Sequence, residues 1–216
     1  MMPMTARSLL LPALFCTLVA QNGLAGQDAG DVLKRLEKKY ESVRDVKVSF
    51  RQVIRFGVTE AEQSFNGTLI MRKGNKYRIE LEDQTIVTDS KSVWSYAKNN
   101  RQVIIDKYRE DPNSFSPDKV LVNVPEHYVA TILGKEKLKD LATTILKLNP
   151  KDSKSNVQWM KIWVDDDESL MRKVQVLDTS DNLTTYFIER VSLNSGVKDS
   201  VFQFDAPAGV EVIDLR

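Results

Sequence analysis

Hydrophobic and polar positions change rhythm along this chain. From Asp31 to Arg44 the apolar residues Val32, Leu33, Leu36, Tyr40 and Val43 recur every three or four positions, with Lys34, Arg35, Glu37, Lys38 and Lys39 between them. This spacing predicts an amphipathic helix over 31–44 with one packed stripe, its free N-terminal amides capped by Asp28 or Asp31. The period then drops to two. Val46, Val48 and Phe50 alternate with Lys47, Ser49 and Arg51, and the same alternation returns in Phe65, Gly67, Leu69 and Met71 and in Tyr77, Ile79 and Leu81. Each segment reads as a strand with one covered face. Gly74 and Asn75 tolerate the positive φ of a tight hairpin between the second and third.

Further strands are predicted at 85–88, 92–96 and 102–106, and short strands in succession with tight links imply an antiparallel meander. The stretch from Tyr108 to Pro125 is polar, carries Pro112, Pro117 and Pro125, and is expected to form a lid or rim loop. Pro125 opens a predicted short helix through Tyr128, Val129, Ile132 and Leu133, closed by Gly134. After a charged stretch, 135–140, strands resume at 143–148, 158–164, 170–177 and 184–191. The acidic run Asp165 to Glu168 reads as a solvated hairpin turn, since a calcium loop needs oxygen ligands at a longer, regular spacing. Phe202, Phe204, Val210 and Val212 pin the end of the chain to the body.

The N-terminal segment changes this picture by adding export. Met1 to Arg7 carries one positive side chain, and the apolar run Leu9 to Ala20 is about a dozen residues, short of the roughly 20 that span a bilayer. Gly23 and Ala25 place small residues where a signal peptidase reads, so residues 1–25 form an expected signal peptide cut after Ala25, with Ala20 the alternative site and an uncleaved anchor the rival reading. Cys16, the single cysteine, lies in the apolar run, and Phe15 before it does not suit lipidation. The remaining chain, 26–216, is expected to be one domain, free of disulfides and of reactive-thiol chemistry. Loss of Arg7 leaves its basic and acidic residues balanced, which gives no global field to attract nucleic acid.

Candidate chemistry is sparse. His127 is the single histidine, which speaks against a transition-metal cluster and against a triad, and no GxSxG elbow or glycine-rich phosphate loop is present. Asp89, Asp106, Asp178 and Asp205 read as turn or strand-end residues. No enzyme activity, metal or cofactor is expected. Trp94, Trp159, Trp163, Phe50, Phe56, Phe65, Tyr77 and Tyr96 fall on strands or their ends. Their ordinary role is core filling; the alternative is that some line a cavity able to bury an acyl chain.

With these elements placed, the chain resembles the periplasmic outer-membrane lipoprotein carrier family, LolA, over nearly all of the segment after 25. The resemblance runs through VKVSFRQ at 46–52, FNGTLIMRKGNKYRIE at 65–80, IVTDSKSVWSYAKNNRQVII at 86–105, TTYFIERVSLN at 184–194 and FQFDAPAGVEVIDL at 202–215. It implies an α+β, mostly β fold: an unclosed, strongly curved antiparallel half-barrel with a helical lid over an apolar cavity. It also implies a monomeric periplasmic chaperone for acylated lipoproteins, which takes cargo from an inner-membrane ABC transporter and passes it toward the outer membrane and a receptor there. Lys73 aligns with the family's basic residue that holds the lid, and Tyr77 with an aromatic at the cavity mouth. Gly74 stands where the family has proline and Ser90 where it has glycine, which marks a divergent branch. By alternation, Phe50, Phe65, Leu69, Ile79, Trp94, Tyr96 and Trp163 are candidates for the cavity lining, although alternation does not say which face is concave. A lipid or envelope-stress sensor on the same half-barrel is the competing reading, and a hydrolase of envelope glycan or lipid is the third.

Overall fold

A computed structural model describes residues 28–109 and 124–216. The expected signal peptide and most of the 108–125 loop lie outside these residues. Helix α1 (Ala29–Glu41) starts where Asp28 accepts from the Gly30 amide at 3.3 Å, and it ends with Lys38 and Lys39 in its last turn, where cations oppose the dipole. Its buried stripe is Ala29, Val32, Leu33, Leu36 and Tyr40.

Strands β1 (Asp45–Arg55), β2 (Glu62–Arg72), β3 (Lys76–Leu81), β4 (Gln84–Asp89), β5 (Ser92–Ala97) and β6 (Gln102–Lys107) form the first meander. A single turn, α2 (Val124–His127), precedes the second: β7 (Tyr128–Leu138), β8 (Leu141–Pro150), β9 (Val157–Asp165), β10 (Met171–Asp178) and β11 (Leu183–Leu193). A 3-10 turn, Asp199–Phe202, leads to β12 (Glu211–Asp214), which pairs parallel to β6. The result is one twelve-stranded sheet in the order β12-β6-β5-β4-β3-β2-β1-β11-β10-β9-β8-β7. The meanders meet at the antiparallel β1–β11 pair, and the ends β12 and β7 do not close on each other.

The expected helix from Pro125 to Gly134 is corrected: only 124–127 are helical, and Tyr128 opens β7, which also absorbs Lys135 to Lys137. The cause is a bulge. Register shifts between Ile132 and Gly134, leaving Leu133 as the extra residue, so the strand's alternation is interrupted and its apolar positions mimic helical spacing.

Register assigns the two faces. Val46, Val48 and Phe50 on β1 share a face with Leu69 and Met71, with Ile79, and across β11 with Tyr186, Ile188 and Val191. Helix α1 covers this inner face, and its stripe belongs to one core with Leu146, Leu148, Met160, Ile162 and Val174. On the outer face, segment 199–209 crosses β3 to β6: Arg78 donates to the Val201 carbonyl, Phe204 stacks on Tyr96 at 5.7 Å, and Arg101 donates to the Gly209 carbonyl. Val87 and Val103, which face outward in register, are fully buried, as is Phe202.

Buried carboxylates tie the turns down. Asp165 is 2 % exposed; it takes two bonds from Arg172, at 2.7 and 3.0 Å, and two from the amides of Asp167 and Glu168. The expected solvated turn therefore has a paired, buried anchor at its first residue. Asp45 accepts from the Ser195 amide and hydroxyl at 2.7 and 2.9 Å and from the Gly196 amide, fixing the turn after β11 to the start of β1. Burial pushes both carboxyls up, but the hydrogen bonds to their charged forms outweigh it and hold both below the usual range.

Depressed carboxyls stabilise the fold above their unfolded value, about pH 4, and lose that contribution as pH falls through the lower folded value. Urea titrations should therefore show stability declining only below about pH 4, and Asp45→Asn should flatten that decline. Arg172→Ala, which strands a buried charge, should lower stability by about 3–5 kcal/mol. Ser90 holds φ +80 in the β4–β5 turn, where a side chain is strained. Ser90→Gly should raise stability by roughly 1 kcal/mol, read as a higher Tm.

Candidate functional site: an apolar pocket on the inner face

Where α1 ends, the inner rows of β1 to β4 and of β10 and β11 enclose a pocket of about 280 Å³. Its walls are Val48 and Phe50 on β1, Leu69 on β2, Ile79 and Leu81 on β3, and Ile86 on β4. Met171, Val174, Tyr186, Ile188 and Val191 close it from β10 and β11, and Tyr40 from α1. Gln52 is the one lining side chain with an amide, and none carries a formal charge at neutral pH.

The pocket depends on a missing side chain. A Cβ on Gly67 would lie 2.6 Å from Cζ of Phe50 and 2.7 Å from Cδ2 of Leu81, so glycine lets Phe50 lie across β2. Phe50 in turn meets Tyr186 edge to face, with centroids 5.8 Å apart. Burial pushes the Tyr186 and Tyr40 hydroxyls up to about 12, with the backbone of Met171 partly opposing the rise at Tyr40. Both stay neutral at physiological pH. The site offers apolar contact and a few hydrogen bonds, and its lining supplies neither a nucleophile nor a general base.

A second pocket of about 280 Å³ adjoins it across Tyr40, at the β2–β3 hairpin, and is lined by Lys73, Gly74, Asn75, Tyr77, Arg44 and Arg72 among others. Gly74 and Asn75 take φ of +86 and +58, which aims Lys73 at the helix: its ammonium donates to the Glu41 carbonyl at 2.5 Å. A cation there satisfies an orphan carbonyl and opposes the negative end of the α1 dipole.

Of the residues singled out from sequence, Phe50, Leu69 and Ile79 line the apolar pocket, and Lys73 and Tyr77 line its neighbour. Phe65 shares the inner row, opposite Gln52, but stands outside both linings. Trp94, Tyr96 and Trp163 lie on the outer face. Trp94 pairs with Val87 and Ile105, Tyr96 packs on Phe204, and Trp163 pairs with Ile145 and donates to Glu136 at 2.6 Å. Their place as candidate lining is therefore corrected: alternation says which residues of a strand share a row and not which face that row occupies. Tyr40, Met171, Val174, Tyr186 and Ile188 were not selected, although the α1 stripe and the β10–β11 alternation carried the signal. His127 sits away from the pocket beside Tyr128, Pro150 and Asp152. Among the described residues no group of three His, Cys, Asp or Glu side chains gathers as a metal set.

The fold and the site together define an open, predominantly antiparallel sheet with one covering helix and an uncharged pocket on its inner face. The chain belongs to the outer membrane lipoprotein carrier protein family, LolA, whose model matches residues 41–205. It is 24% identical over 189 residues to the outer-membrane lipoprotein carrier protein of Pasteurella multocida, covering 86% of this chain and 88% of that one. With the protein of the same name from Haemophilus influenzae it shares 25% over 197 residues, 90% of this chain and 92% of that one. Among solved structures, an uncharacterized conserved protein from Thermus thermophilus superimposes with a TM-score of 0.57 at 11% identity, over 86% of this chain and 98% of that one.

Gly67→Ala should force Phe50 and Leu81 aside, at about 1–3 kcal/mol of stability. An apolar fluorescent probe titrated into the protein should bind more weakly to this variant, while a Gly209→Ala control on the far side should bind as the parent does.

Proposed function

We propose that this protein is a periplasmic carrier that shields the acyl chains of lipoproteins in the inner-face pocket during transit toward the outer membrane. The observation that carries this reading is the uncharged lining from Val48 to Val191, set in a fold whose relatives are named for carrying lipoproteins. Each methylene moved from water into such a lining yields about 0.8 kcal/mol. Two or three exposed lipid tails would otherwise make a soluble complex aggregate. An inner-membrane ABC transporter is the expected donor, and an outer-membrane receptor the expected acceptor.

The pocket volume adds a mechanical requirement. At about 280 Å³ it falls just below the range of roughly 300–1,000 Å³ typical of small-molecule sites, so a cargo with several chains needs α1 to yield. In this reading α1 is the lid, Lys73 its clasp, and Tyr77 a side chain of the mouth. A lysine donates as a point charge rather than as a planar fork, which suits a clasp that releases easily.

Native mass spectrometry of the protein isolated from cells co-expressing a tagged lipoprotein tests this. A one-to-one complex is expected, lost when the acylated cysteine of the cargo is replaced and lost again in Ile79→Glu. Tyr77→Glu should slow cargo uptake more than it lowers stability. Recovery of cargo-free protein alone, or a complex indifferent to acylation, would overturn the proposal.

A further inference from the structure

The outer face of the half of the sheet that runs from β1 to β8 breaks a rule of sheet construction. Lys147 on β8 stands directly opposite Lys161 on β9, and like charges so placed repel across about 5 Å. The row continues without relief. Lys161 pairs with Gln175, Lys173 lies between Trp163 and Phe187, and Arg51 follows on β1, with Lys47 and Arg190 at its side. None of these cations is paired with a carboxylate among the described residues. Acidic side chains on or beside this face are mostly engaged elsewhere: Asp45, two residues before Lys47, bonds Ser195 and Gly196, Asp165 bonds Arg172, and Glu80 pairs with Arg78, while Glu189 is exposed next to Arg190. Glu189 is the residue left over at the β11 irregularity, Glu62 faces Arg55 at the far end of β1, and Glu136 on β7 is held by the Trp163 indole. A chain with a net charge of only +1 has thus concentrated unpaired cations on one surface.

Aromatic rings are interleaved with them. The Lys173 ammonium lies 4.1 Å from the centroid of Trp163 and 5.7 Å from that of Phe187, the Arg51 guanidinium 4.2 Å from Phe187, and the Lys161 ammonium 4.8 Å from Trp159. The ring faces attract the cations, which remain partly exposed to solvent. The uncharged neighbours Ser49, Gln175 and Thr185 can add hydrogen bonds. Strands about 4.8 Å apart spread this array over roughly 20 Å from β8 to β1.

We propose that this outer face docks the protein on an anionic phospholipid surface, with the phosphates as the ligands of Lys47, Arg51, Lys147, Lys161, Lys173 and Arg190. A bilayer presents negative charge as a two-dimensional array, which matches a row of cations repeated on successive strands better than a peptide lying along a single groove would. The rings beneath suit the boundary between headgroups and water. Docking by this face leaves the inner pocket on the opposite side of the sheet, so it requires no cargo and does not rest on the carrier reading.

Sedimentation of the purified protein with vesicles tests this surface. Binding to phosphatidylglycerol–phosphatidylcholine vesicles is expected, with little binding to phosphatidylcholine alone and loss near 0.5 M salt, where screening is about 4 Å. Lys161→Glu should lower the partition coefficient roughly twenty-five-fold, from about five-fold for each of the two units of charge changed near the surface. The same variant converts a repulsive cross-strand pair into an attractive one, so its Tm should not fall. Arg190→Glu, at an exposed position, should behave likewise. Ile79→Glu, on the opposite face, should leave vesicle binding intact, which separates this test from that of acyl binding. Vesicle binding indifferent to both reversals, an absence of binding at low salt, or tighter binding to soluble polyglutamate than to vesicles would overturn the proposal.

Discussion

Coverage of the sheet's inner face is the constraint on which the rest depends. A 13-residue helix is about 20 Å long, whereas twelve strands at about 4.8 Å span more than 50 Å. Helix α1 spends its stripe on the half built from β8 to β11 and the start of β1, where Leu146, Leu148, Met160 and Ile162 are fully buried. Over β2 to β4 the inner row remains apolar, at Leu69, Ile79, Leu81 and Ile86, yet these residues are only partly buried. That half obtains its second layer from the other side. The 199–209 segment covers Val87 and Val103 on the outer face and is held by Asp199 against Arg72 and Lys76, each at 2.9 Å. The two halves are stabilised on opposite faces, and the pocket lies where the layers change sides.

Charge follows the same division. The carboxylates that the fold buries, Asp45 and Asp165, sit at turns, where backbone amides supply their partners. Neither lines the apolar pocket. A charge there would have to be desolvated without a partner, which a lining of aliphatic and aromatic side chains could not offset. Repulsion between Lys147 and Lys161 is tolerable because it stands on the face that solvent reaches, with counterions at hand.

Period and turn chemistry made most of the fold legible. The α1 stripe, the alternation of β1 to β6 and of β8 to β11, and the positive φ at Gly74 and Asn75 were each readable from residue type. β7 was not. Its bulge at Leu133 interrupts the period of two, and Gly134, read as a helix stop, is a bulge residue at φ +150. The pocket was half legible for a different reason. Alternation selects Phe50, Leu69 and Ile79, which line the pocket, and equally Trp94, Tyr96 and Trp163, which stand on the other face, and side-chain size does not separate the two sets. Size reports that a ring must be covered. It does not report whether the cover is another layer of protein, as for Tyr96 under Phe204, or the stem of a lysine, as for Trp163 under Lys173.

Gly67 shows how a small pocket and a stable sheet can share residues. Glycine in a strand interior loses side-chain packing and costs roughly 0.5–1 kcal/mol relative to alanine. Here the Phe50 ring takes the vacated space, so the strand is packed by a neighbour's side chain rather than by its own. That ring also forms the pocket wall and meets Tyr186 across the β1–β11 seam. In the carrier reading, cargo that displaces α1 would leave this seam intact, because its pairing runs over the full length of β1 and is independent of the helix. What must give way is the end of α1, where Lys73 reaches Glu41 and Tyr40 meets the backbone of Met171. The Lys73 contact is exposed and easily released, whereas Tyr40 belongs to the buried stripe, so opening there exposes apolar surface that the cargo must cover in its place.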